Sequence, residues 1–281
     1  MPTIGIVNVN TSESMTTSIV DAARAVAAPD TTIVGLTPQR GPVSVETHVE
    51  AYLSAVGVIE AVHRYTLESA SQGAQTDSPA TTSLPADAQL PDTASLPVDA
   101  WIIAGYGDQG KEALQELVDV PVIDITEAAA VAAMSVGDAY AVVTTLDRTV
   151  PMIRARLSQA GLIDRCVSIT GTGLGVLELE EDLQRTRQAI IDAATAALRR
   201  TEHPAESICL GCGGMAGQGP ELSKELGVPV VDGVAAAVGQ AESLVRQGLT
   251  TSRIGTFAPR GPKRLHGFEQ LELPTESLTE S

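Results

Sequence analysis

Short apolar runs alternate along this chain with segments in which apolar residues return every third or fourth position. Runs too continuous for half-exposed strands read as buried strands, and the longer periodic segments read as helices. The pattern predicts strands over 3–8 and 32–36, with a helix over about 14–27 between them. The loop Gly41-Pro-Val-Ser-Val-Glu46 leads into a long helix with Val49, Leu53, Val56 and Ile59 on one face. His63 falls near the predicted end of that helix, where a cation suits the macrodipole. Residues 66–98 break the pattern. They are rich in Ser, Thr, Ala, Pro, Asp and Gln and hold no aromatic residue. Such a stretch cannot bury enough apolar surface to fold alone, so it reads as a flexible insertion. Strands over 100–104 and 120–125 follow, with helices from about Lys111 and over 126–134.

The pattern then restarts. A strand over 140–143 ends in Thr144-Thr145, and a helix begins near Thr149 with Pro151 in its first turn, where proline is tolerated. A strand over 166–169 runs into Gly171-Thr-Gly-Leu-Gly175. A long helix over about 181–198 comes next, with Glu180, Glu181 and Asp182 favouring its N-terminal turn. A strand over 208–210, a short helix near 221–226, a strand over 228–231 and a helix over 233–245 complete this half. Beyond Thr250 periodicity ends, and the tail either packs on the first half or frays.

The two halves match in sequence. Ile102-Ile-Ala-Gly105, Val120-Pro-Val-Ile-Asp124 and Ala128-Ala-Ala correspond to Cys209-Leu-Gly-Cys212, Val228-Pro-Val-Val-Asp232 and Ala235-Ala-Ala. Ile4-Gly-Ile-Val-Asn8 corresponds more weakly to Tyr140-Ala-Val-Val-Thr144. The fold expected is α/β: two pseudosymmetric lobes with parallel sheets, over 1–135 (with the insertion 66–98) and 136–250, then a C-terminal tail over 251–281. Parallel sheets bind ligands beyond the C-terminal ends of their strands. Two such lobes would set Gly105 and Cys212 on opposite walls of one cleft.

Composition narrows the partners. The formal net charge is −17, from 18 Lys and Arg against 35 Asp and Glu, so no basic stripe exists to meet phosphates and nucleic acid is excluded. The acidity reads as a solubility device or the mark of a salty habitat. No apolar run approaches the roughly 18 residues of a membrane span, and the first residues lack a signal-peptide pattern. The expected compartment is the cytoplasm. Cys166, Cys209 and Cys212 are too few for a disulfide framework, and Cys209-x-x-Cys212 alone is too small for a zinc site. His48, His63, His203 and His266 lack ligand spacing, so no metal is expected.

The candidate chemistry lies at Gly211-Cys-Gly-Gly214. A short buried strand runs into a turn with almost no bulk except one thiol, beside converging backbone N–H groups. That setting favours a lowered thiol pKa. A pseudosymmetric cleft suits a planar intermediate approached from both faces, with a thiolate as base. Gly105-Tyr-Gly-Asp-Gln-Gly110 also satisfies G-x-G-x-x-G, with Asp124 further on, which would mark a dinucleotide oxidoreductase. However, the motif sits on the third strand of its half rather than the first. Its P-loop likeness fails at Glu112, where Ser or Thr must hold magnesium. Two lobes around a cleft also describe solute-binding proteins, whose class the missing signal peptide disfavours. Asp108 and Asp232 read as helix caps or turn braces.

Several stretches together resemble the aspartate/glutamate/hydantoin racemase superfamily, and within it the hydantoin and allantoin racemases. They are Ile6-Val-Asn-Val-Asn-Thr-Ser12, Gly41-Pro-Val-Ser-Val-Glu46, Gly105-Tyr-Gly-Asp-Gln-Gly110, Val143-Thr-Thr-Leu-Asp-Arg-Thr-Val-Pro151, Thr172-Gly-Leu-Gly-Val-Leu177 and Leu210-Gly-Cys-Gly-Gly-Met-Ala216. The resemblance implies a cofactor-independent isomerase, a homo-oligomer, acting on a small molecule with one cysteine from each half. Cys212 falls on the second cysteine; the first falls on Gly105. The first loop usually reads Asn-Pro-Asn and here reads Asn8-Val9-Asn10. The family implies that Asn10, Thr144 and Thr145 bind the carboxylate or ring carbonyls. It also implies that backbone N–H groups at Gly213 and Gly214 hold an enolate oxygen. Pro42 and Val45 are further candidate substrate contacts, and Tyr106 either contacts substrate or fills the space above the sheet. With glycine on one wall, the chain is either an engineered or natural racemase variant with one base removed, or one in which a water or a neighbouring group such as Tyr106 replaces the thiol at reduced rate. The alternative is one-sided chemistry like that of arylmalonate decarboxylases, with Cys212 as proton donor.

Overall fold

Short apolar runs build eight strands, most of them buried, in the computed structural model, which describes residues 1–73, 97–200 and 202–272. In the first half these are β1 (Thr3–Val7), β2 (Thr32–Leu36), β3 (Ala100–Ile103) and β4 (Val122–Asp124). They form one parallel sheet in the order β2-β1-β3-β4. In the second half β5 (Tyr140–Thr144), β6 (Cys166–Gly171), β7 (Ser207–Leu210) and β8 (Val230–Asp232) repeat that order as β6-β5-β7-β8, again parallel. The matching order makes β3 and β7 equivalent, which is the alignment that pairs Gly105 with Cys212.

The helices are α1 (Glu13–Val26), α2 (His48–Gly73), α3 (Lys111–Leu117), α4 (Ile125–Val136), α5 (Val150–Gln159), α6 (Glu178–Glu181), α7 (Leu183–Leu198), α8 (Gly219–Leu226) and α9 (Gly233–Arg246). Three expectations change. The helix α2 runs on to Gly73, so residues 66–73 of the expected insertion are helical and His63 sits mid-helix, away from the dipole's end. Here Thr66 and Ser69 donate their hydroxyls to the carbonyls of Val62 and Tyr65, one turn back in the same helix. The rest of the expected insertion, 74–96, lies outside the described residues. The helix expected from about Glu181 starts two residues later, at Leu183, where Asp182 caps α7 by accepting from Gln184 N and Arg185 N, both at 3.0 Å, and the short α6 precedes it. Glu180 does not support that turn; it accepts from Ser14 and Ser18 of α1.

The two halves exchange helices. Val234, Ala237, Val238 and Ala241 of α9 pack into the core of the first sheet, with Ile4, Ile6, Ile19 and Ile102. Ala129, Ala130 and Ala133 of α4 pack in the second half, with Tyr140, Val142 and Cys209. Beneath them Arg156 of α5 is buried and reaches back to Asp124, Glu112 and Glu127 of the first half at 2.6–2.7 Å. Burial would push the Glu112 carboxyl up, yet the Arg156 guanidinium prevails and holds it below the usual carboxylate range. The tail packs on the first half: Thr251 N donates to Asp119 O at 2.8 Å, and Arg253 binds the α3 carbonyls of Gln115 and Glu116.

Candidate active site

The C-terminal ends of β1, β3, β5 and β7 converge on one small cavity. From the first half it takes Asn8, Val9, Asn10, Ala104, Gly105, Tyr106 and Gln109; from the second, Thr144, Thr145, Thr149 and Gly211 to Gly214. Met15, Val45, Met152 and Val176 complete the wall. Pro42 does not line this space; its carbonyl instead accepts from Thr11 N at 3.0 Å and anchors the first loop.

Gly105 and Cys212 share this cavity because the halves touch there. A Cβ at Gly213 would lie 2.7 Å from the Ala104 carbonyl oxygen, so only glycine lets the two strand-end loops come this close. Cys212 packs against the cores of both halves. Each loop is tied down by the helix that follows it. Thr126 of α4 accepts from Gly107 N at 2.9 Å, and its helix is capped by Asp124. Asp232 caps α9 through Val234 N and Ala235 N and also accepts from Gly217 N at 2.6 Å. Asp108 braces its own turn through Gly110 N.

The polar lining is pre-arranged. The Asn10 carboxamide oxygen accepts from Asn8 Nδ2 and Ser12 N, both at 2.9 Å, while its Nδ2 meets only the weak acceptor Met15 Sδ at 3.1 Å. The amide of Asn10 is therefore held with its N–H free for a stronger acceptor. Thr144 Oγ1 donates to Gly211 O at 3.0 Å, linking β5 to the cysteine loop. Asn8, Gln109 and Thr149 also line the cavity. Nothing in the sequence pattern marks Gln109 as a lining residue, and Thr149 is marked there only as a helix start.

The expected lowering of the Cys212 pKa is not found. Burial pushes the thiol up to about 11; the Gly214 N–H works against it, while Glu46 and Glu180 add to it. At neutral pH this sulfur is a thiol. Burial first, then Cys209, drives the Tyr106 hydroxyl well above the ordinary tyrosine value, which works against Tyr106 as a base.

Residues 4–241 match the family model described as Asp/Glu/Hydantoin racemase. The chain belongs to that family. A hydantoin racemase of Pseudomonas sp. (strain NS671) is 35% identical over 254 residues, covering 90% of each chain. The crystal structure of allantoin racemase from Pseudomonas fluorescens superimposes with a TM-score of 0.79 at 50% identity, covering 94% of this chain and 99% of the other. Arylmalonate decarboxylase shares the fold at 18% identity and a TM-score of 0.54, over 88% of this chain and 94% of its own. A racemase-family isomerase is thus what these relatives support. Among the described residues no helix is long and apolar enough to cross a membrane.

Proposed function

We propose that this isomerase moves a proton at the acidic C–H of a neutral cyclic ureide, a 5-substituted hydantoin or close relative, with Cys212 as its one sulfur acid–base group. The observation that carries this reading is the chemistry of the lining. It offers amides, hydroxyls, backbone N–H groups and one thiol, and among the described residues no Lys, Arg or His. A substrate bearing carboxylates would bring its charge to a site with no cation, near Glu46 and Glu180. A neutral ring meets no such cost, and its carbonyls suit the Asn10 amide and the Thr145 hydroxyl, while Thr144 keeps its proton on Gly211 O and holds the cysteine loop.

In the forward step the Cys212 thiolate takes the C5 proton, and the electron pair moves onto the adjacent carbonyl oxygen as an enolate. The N–H groups at Gly213 and Gly214 are the nearby donors for that charge. Return of the proton from sulfur restores the starting configuration. Inversion needs a proton from the Gly105 wall, which holds no thiol, so water must deliver it more slowly. With the thiol at about 11, about one site in a thousand is thiolate at pH 8. The exchange rate should rise nearly tenfold per pH unit from 7 toward 10. A flat profile would contradict thiolate abstraction.

A second reading is favoured by the same raised pKa: a thiol protonated at neutral pH, facing glycine, is placed to protonate an enediolate left by decarboxylation. The test offers 5-substituted hydantoins, their ring-opened carbamoyl acids and disubstituted malonates, following C–H exchange by proton NMR in D2O and CO2 release. Exchange confined to the hydantoins is expected; CO2 from a malonate with no hydantoin exchange would replace the first reading by the second. Three free thiols are consistent with a reducing cytoplasm. The exposed Val49, Tyr52 and Leu53 on α2 are consistent with a homo-oligomer.

A further inference from the structure

The Gly105 wall is not empty. A Cβ built on Gly105 would lie 2.5 Å from Gln109 Oε1, 2.9 Å from Gln109 Cδ and 2.5 Å from Val9 Cγ1. The end of the Gln109 side chain therefore fills the space a cysteine would need there. Gln109 is only 5% exposed, it lines the cavity, and its Oε1 is a fully enclosed acceptor with no donor. Buried acceptors are almost always satisfied, and leaving one bare is costly. An orphan acceptor in a ligand cavity points to a donor carried by the ligand.

We propose that Gln109 is a substrate-binding residue that accepts a ring N–H through Oε1, holding a cyclic ureide by the wall opposite Cys212. This rests on the proposed hydantoin-type substrate and adds to it what the first wall does once its thiol is gone. The chemistry fits: a hydantoin ring carries two N–H donors, whereas a malonate at neutral pH carries none. The carboxamide cannot act as a base, so its role is recognition and orientation. It is set by a rigid loop, since Gly107 N is held by Thr126 and Gly110 takes the left-handed conformation at φ 90°.

The experiment compares wild type, Gln109→Met and Gln109→Ala on a 5-substituted hydantoin and on its N1-methyl and N3-methyl forms, by C5 exchange in D2O. Gln109→Met keeps the volume and removes the acceptor; melting curves check its fold. Loss of one hydrogen bond to a buried acceptor predicts a KM raised roughly 10- to 100-fold with kcat changed less. Wild type should reject one N-methyl form, and both variants should lose that discrimination by about tenfold or more. If wild type exchanges the hydantoin but folded Gln109→Met keeps its KM and its N-methyl discrimination, the role of Gln109 is overturned and the substrate class stands. If wild type neither exchanges nor binds any hydantoin by calorimetry, both fall.

Discussion

Two residues face each other here in a way that neither could announce alone. The Gly211-Cys-Gly-Gly214 turn and its opposing Gly105 were legible as positions, because the internal repeat aligns the two strand ends. The state of the thiol was not. Glycines and nearby N–H groups favour a thiolate, yet desolvation between two cores outweighs them, and only packing reveals that balance. Gln109 was invisible for a similar reason: a missing Cβ at 105 leaves a hole that only coordinates can assign to an occupant. The steric finding makes a prediction about engineering. Gly105→Cys alone must displace Gln109 and Val9, so it should raise the ratio of inversion to exchange only modestly. The triple variant Gly105→Cys, Gln109→Ala, Val9→Ala should raise that ratio well beyond the single one, measured by polarimetry beside NMR. Equal ratios would show that the first wall yields freely.

At the scale of elements, strand–helix alternation was readable from hydrophobic periodicity, and the strand order follows from the repeat. Helix ends were less so. The helix α2 runs past its apolar stripe, with Thr66 and Ser69 bonded back to their own helix, and the Asp182 cap sets the start of α7 at Leu183, two residues beyond the expected start. The buried cation Arg156 could not be foreseen either, since its partners Asp124, Glu112 and Glu127 lie far away in sequence. Asp124 serves twice: it caps α4, whose Thr126 fixes the Gly105 loop, and it takes Arg156. Arg156→Met would leave that carboxylate buried and unpaired. The expected cost is about 3–5 kcal/mol, read from urea unfolding. Asp124→Asn keeps a capping oxygen and should cost less. A shift under about 1 kcal/mol for Arg156→Met would show that the cluster is solvated and weak.

Across the whole molecule, the lobes were predicted as neighbours and are found to trade helices, with α9 on the first sheet and α4 on the second. A shared core implies one cooperative unfolding transition, with calorimetric and van't Hoff enthalpies equal; two resolved transitions would contradict it. Burial also sets an alkaline limit. Cys166 and Cys212 are both pushed up to about 11, and Cys209 is raised further. Unfolded thiols lose their protons near 8.5–9, so above that pH the unfolded chain binds fewer protons and stability falls until the folded thiols titrate. Melting temperature should hold steady from pH 7 to 8.5 and drop steadily toward 11; no drop would mean the thiols are not desolvated. What the lobes jointly present is a single sulfur opposite a carboxamide, and stereochemistry tests that most directly. One enantiomer of a 5-substituted hydantoin is incubated in D2O with wild type and with Cys212→Ala, following deuterium at C5 and enantiomeric ratio together. Deuterium should enter well ahead of inversion in wild type and at no more than the buffer rate in Cys212→Ala. Inversion keeping pace with exchange, or exchange that survives loss of the sulfur, would contradict the account.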